Sequence, residues 1–172
     1  MGSSSTSCSA GRVAGLVTKS TDRPRRIWDL LGPFGFEVSM LLLHLHTLEP
    51  FVHGFFVTES PTVITSDASK PLILTDMISR GELPQPIRRK LDVSVVNFNA
   101  STCRSSHAKC MEMQARFALL QMLFARAEPR DVAFLCDTDE ILRPSTVQLF
   151  ARCDMFDPQL QPRQPWMCAA SM

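Results

Sequence analysis

Nothing in this 172-residue chain is apolar for long enough to cross a bilayer, which takes about 20 residues; the longest run, VSMLLLHLHTL, is short and carries two histidines. No signal-peptide core is visible at the start. An excess of one charge is also missing, since the formal net charge is +1, so composition gives no support to nucleic acid as a partner. No CxxC pair occurs among the six cysteines at 8, 103, 110, 136, 153 and 168. Cys103 and Cys110 flank His107, but that fragment of a zinc site has no second half in the chain; free thiols or a disulfide between 103 and 110 in an oxidising lumen remain open. What is present is 45% hydrophobic and 20% charged residues, the composition of one globular domain or a piece of a larger one.

Residues 1–25 are rich in Ser, Thr and Arg, with Asp22 as the only acid, and predict a disordered leader. Gly2 with Thr6 also satisfies the N-myristoylation pattern, with Cys8 available for a second acyl chain, and the acid-poor start suits a transit peptide. The body spans 26–157, and the Pro- and Gln-rich residues 158–172 predict an unstructured tail.

Val38, Leu41, Leu42, Leu45 and Leu48 recur at helical spacing before Pro50, predicting a helix over 37–48. His44 and His46 lie on it and point to different faces, so they cannot share a metal through that helix; each reads as structural. VHGFFVTES predicts a buried strand emptying into polar residues, SPTVITSDASKPLIL a loop and TDMISRGELPQPIRRK a short polar segment. LDVSVVNFN is a second strand, and 99–110 reads as loop. MEMQARFALLQMLFARAEP is a helix on the spacing of Met113, Phe117, Leu120 and Phe124, with Glu112 one turn before Arg116. A third strand, DVAFLC, and a final helix starting at RPSTVQLF, with Ser145 or Thr146 as candidate cap, complete the pattern. Apolar strands separated by helices predict an α/β fold with a mostly parallel covered sheet, whose ligands bind at the carboxyl ends of its strands.

The third strand runs into Asp137, Thr138, Asp139 and Glu140. Asp137 and Asp139, leaving the strand two residues apart, can reach one hard divalent cation that keeps open positions for water and phosphate. The alternative is an acidic helix N-terminus complementing the dipole. Two enzyme classes place D-x-D after a buried strand. Haloacid-dehalogenase-type phosphatases carry it on the first strand of the domain, nucleotide-sugar transferases of the GT-A fold on a later one, and its position here favours the second.

Three blocks, FEVSMLLLHLHTLEPFVHGFFVTESPTVITSDASKPL, EMQARFALLQML and RDVAFLCDTDEILRPSTVQLF, make residues 26 to about 156 resemble glycosyltransferase family 17, the β-1,4-N-acetylglucosaminyltransferases that add the bisecting GlcNAc to N-glycans. The resemblance implies a GT-A-like (Rossmann-like) fold and inverting transfer of GlcNAc from UDP-GlcNAc to the β-linked mannose of a glycan or glycoprotein acceptor. It further implies Mn²⁺ or Mg²⁺ held by Asp137 and Asp139, Glu59 near the nucleotide, and Lys70 and Arg116 pairing with phosphate or carboxylate. It also implies a Golgi location, although no anchor helix is visible. Leu142 stands where the family usually has proline. Recognisable similarity stops near Asp157, so the domain is expected to be incomplete, and no residue presents itself as catalytic base. A non-catalytic nucleotide-sugar- or partner-binding remnant is the rival from another class, and a metal-dependent phosphatase the third reading.

Overall fold

The computed structural model describes residues 17–20, 23–64, 66, 68–98, 107–156 and 167–168. In chain order the elements are β1 (Val17–Ser20), β2 (Ile27–Phe34), α1 (Val38–Leu48), β3 (Gly54–Glu59), α2 (Ile73–Ser79), α3 (Gln85–Lys90), β4 (Leu91–Val95), α4 (His107–Phe124), β5 (Val132–Cys136), α5 (Pro144–Arg152), β6 (Cys153–Phe156) and β7 (Met167–Cys168). Five strands form one sheet in the order β4-β3-β2-β5-β7, parallel at every pairing. The last contributes two residues only. A separate antiparallel pair joins β1 to β6. β1 falls within residues 1–25 and β7 within 158–172, and the rest of the expected leader and tail lies almost wholly outside the described residues.

The central strand, β2, is buried at nearly every position. Its odd residues Ile27 and Leu31 pack with α1, α5 and the α2–α3 segment, against Phe55, Val57, Phe134, Leu41, Leu45 and Val147. Its even residues Trp28 and Leu30 face Phe56, Leu119 and Leu123 of α4 on the other side. Period-two alternation with both faces covered is what a parallel sheet between helical layers demands. At the end of β2 the register against β3 shifts between Leu31 and Phe34. Gly32 sits in that irregularity, where an added Cβ would overlap the Thr58 Oγ1 of β3.

The helices α2 and α3 replace the expected loop and polar segment. Each is short and buries one anchor, Leu74 and Ile87. The amides at the start of α2 are capped from a distance by Glu59 rather than by a neighbouring side chain, so no local start pattern exists. The helix α4 starts at His107, one turn earlier than expected and within the segment 99–110 read as loop; its buried face is Met111, Ala115, Leu119 and Leu123, whereas Met113, Phe117 and Phe124 are exposed. Both sets satisfy the same spacing, and the position of the sheet decides between them. The N-terminus of α5 also differs: Pro144 occupies its first turn after Arg143, with no side-chain cap from Ser145 or Thr146.

At the amino end of the sheet, Asp131 accepts hydrogen bonds from Trp28 Nε1 at 2.8 Å, Arg26 Nη2 at 2.7 Å and the Glu128 amide at 2.9 Å. Burial alone would raise this carboxyl. The hydrogen bonds from Arg26 and Trp28 outweigh burial and hold it below its ordinary value. A depressed folded-state value stabilises the protein above the unfolded value of about 3.9, and that stabilisation is lost as pH falls through the folded value. Asp131→Asn is therefore expected to flatten the acid limb of the pH–stability curve, measured by denaturant unfolding between pH 2 and 6. A variant limb identical to the wild-type one would refute this assignment.

Candidate functional site at the carboxyl rim

Because β2, β3 and β5 run parallel, their carboxyl ends meet along one rim, with the end of β2 between those of β3 and β5. At the β5 end, Asp137 and Asp139 are both exposed, Asp137 with 54% of its side chain accessible. The turn is braced from within: the Asp137 amide donates to Glu140 Oε2 at 3.0 Å, the Glu140 amide to the Asp137 carbonyl at 3.0 Å, and the Ile141 amide to the Asp139 carbonyl at 3.1 Å. Glu140 thus shapes the turn rather than adding a third projecting carboxylate. The helix-dipole alternative finds no support, because α5 has no acid in its first turn and the dipole's effect fades within one turn.

Arg116 of α4 bridges to the turn, its Nη2 lying 3.2 Å from Asp137 Oδ1 and 2.8 Å from Glu112 Oε1. Its Nε is buried without a hydrogen-bond acceptor. The Asp137 carboxyl is nonetheless raised, first by burial and then by Glu140, Glu112 and Asp139, against the lowering effect of Arg116. Crowded carboxylates of this kind are relieved by a cation. Among the described residues no three His, Cys, Asp or Glu side chains are grouped to hold a metal by themselves. Two exposed carboxylates still fit a hard divalent ion, which commonly takes one or two from the protein and the rest of its oxygens from water and substrate phosphates. The neighbouring Cys136 is buried, and burial, reinforced by the charges of Asp29, Glu140 and Asp137, pushes its thiol up to about 12, which disfavours a free thiolate there.

Glu59 and Lys70 lie on the β3 side of β2. Glu59 is fully buried; its Oε1 accepts from the Leu74 amide at 2.9 Å and its Oε2 from the Thr75 amide and hydroxyl at 3.0 and 2.8 Å. Three of its roughly four acceptor positions are therefore used within the protein, fixing α2 to the rim. Lys70 is 8% exposed and donates to the Phe34 and Gly35 carbonyls, each at 3.0 Å, with its ammonium over the rings of Phe34 and Phe36. Burial lowers its pKa, opposed by the charges of Glu59 and Glu37. The structure thus brings Arg116 together with Asp137, and separately ties Glu59 to α2 and Lys70 to the end of β2.

Sequence reading did not single out Asp29, the acid in the middle of β2. It is fully buried, and its Oδ2 lies 2.9 Å from His44 Nε2; His44 Nδ1 lies 3.0 Å from the Thr138 carbonyl. Burial lowers the His44 pKa, but the hydrogen bond and charge of Asp29 and the Thr138 carbonyl together raise it. An acid interrupting the apolar run IWDLL is its one trace in the sequence.

The parallel sheet flanked by helices is an α/β arrangement consistent with a GT-A-like fold. The family model of glycosyltransferase family 17 matches residues 5–163, and the chain belongs to that family. It is accordingly a glycosyltransferase, which moves a sugar from a donor to an acceptor. No curated protein and no solved structure matches the chain. No helix among the described residues is long and apolar enough to cross a membrane.

Proposed function

We propose that the protein transfers N-acetylglucosamine from UDP-GlcNAc to the β-linked mannose of an N-glycan core, with inversion. The observation that carries the reading is the exposed pair Asp137 and Asp139 at the rim of a family 17 domain. A divalent cation, Mn²⁺ or Mg²⁺, bound by those carboxylates would neutralise the diphosphate and stabilise UDP as the leaving group. Arg116, already fixed by α4 beside Asp137, is placed to exchange a protein carboxylate for a phosphate oxygen. Glu59 and Lys70 contribute by holding α2 and the end of β2, the walls beside the nucleotide. Cys110 and Cys153 each take part in a disulfide, which favours an oxidising compartment such as the Golgi lumen.

Titration with UDP and UDP-GlcNAc, with and without Mn²⁺, tests the reading, followed by transfer of labelled GlcNAc to a biantennary acceptor. Metal-dependent binding and product are expected. Absence of binding with metal would remove the basis of the proposal, and binding without transfer would assign the chain to donor recognition alone.

A further inference from the structure

Asp29 shares its face of β2 with Ile27 and Leu31, in the apolar layer beneath α1. A carboxylate in such a place is costly unless it is partnered. Its partner, His44, is equally buried and enters from α1. The second ring nitrogen of His44 reaches across to the acidic turn and meets the carbonyl of Thr138, the residue between the two projecting carboxylates. A carbonyl can only accept, so Nδ1 carries a hydrogen whichever member of the Asp29–His44 pair holds the other proton. The result is a chain of contacts from the central strand, through α1, to the main chain of the turn. The hydrogen bonds between Asp137 and Glu140 and between Asp139 and Ile141 are internal and set the shape of the turn; Arg116 reaches it from α4 but holds only the Asp137 side chain, at 3.2 Å, whereas His44 holds its main chain.

We propose that His44 is a positioning residue for donor binding: by anchoring the Thr138 carbonyl to Asp29, it holds Asp137 and Asp139 where a divalent cation and a nucleoside diphosphate can share them. The inference rests on the proposed role of those two carboxylates. The competing explanation is a histidine that merely satisfies a buried acid.

Two substitutions separate these roles because they keep different halves of the ring. His44→Gln places an amide donor near the position of Nε2 and retains a partner for Asp29, but loses the donor to Thr138. His44→Asn places its donor near the position of Nδ1, retains the bond to Thr138 and leaves Asp29 without a donor. Where His44→Asn alone does not fold, Asp29→Asn with His44→Asn gives the buried position an uncharged partner. Each is compared with wild type by melting temperature, by the gain in UDP affinity on adding Mn²⁺, and by hydrogen exchange at the Glu140 and Ile141 amides. Loss of a residue that only supports metal ligands typically costs 10–100-fold, so His44→Gln is expected to lose about 10-fold or more of the Mn²⁺-dependent gain. Its two turn amides should exchange faster while those of β5 do not. His44→Asn should keep both properties better despite a lower melting temperature. The proposal is overturned if folded His44→Gln keeps both the metal gain and amide protection, or if the losses follow melting temperature with His44→Asn the worse. If wild type shows no Mn²⁺-dependent UDP binding, the functional reading fails, and the exchange measurement alone decides whether His44 anchors the turn.

Discussion

Asp137→Ala and Asp139→Ala should each remove the metal-dependent part of UDP binding, by at least about 100-fold, the upper end of what is lost when residues that only support a metal's ligands are changed. Neither substitution should harm the fold, because both side chains are exposed. At Asp137 the sign is reversed: its raised carboxyl pKa, caused by burial and by Glu140, Glu112 and Asp139, means that the folded state disfavours its charge. Asp137→Asn should therefore leave the melting temperature at neutral pH unchanged or slightly higher while binding is lost. Strain kept at a functional site for the sake of a ligand has this signature. Isothermal titration with UDP and Mn²⁺, paired with thermal melting, checks both halves. Undiminished metal-dependent binding in the double variant would remove the acidic turn from the donor site.

The second large effect concerns stability. His44→Leu should cost about 3–5 kcal/mol, because it leaves Asp29 buried with no partner for either oxygen; Oδ1 has none even in the native protein. Adding Asp29→Val should recover most of that loss, since replacing both members of a buried polar pair with apolar groups is often close to neutral. Urea unfolding of the two single variants and the double variant gives the coupling directly. Simple additivity, with the double variant the least stable, would show that the two side chains do not depend on each other. A recovered fold that still fails to bind UDP with Mn²⁺ would separate the contribution of the pair to stability from its contribution to the site.

Much of the sheet was legible in the sequence. The runs GFFVTE, LDVSV and VAFLC are apolar and bounded by polar residues, and α1 and α4 carry clear helical periods. The central strand was not, because Asp29 interrupts its apolar run and Gly32 and Pro33 normally argue against a central position. Those two residues are tolerated because they fall at the carboxyl end, where the register against β3 already breaks. The acidic turn could be found because three acids fall within four residues directly after a buried strand. What holds it could not, since Asp29, His44 and Thr138 are distant in sequence and meet only after β2, α1 and β5 have been assembled. The same is true of Glu59, whose capping of α2 involves amides beyond a long loop.

The strand order also bears on how the chain folds. β2 can pair with β3 as soon as α1 is in place, but its other edge waits for β5, which is made only after β4 and α4. The middle of the finished sheet is thus an open edge until β5 has been made, carrying Trp28, Leu30 and Leu31. Exposed apolar edges of this kind recruit other chains, so conditions that slow elongation between β3 and β5 should favour aggregation during synthesis over any later unfolding of the finished domain.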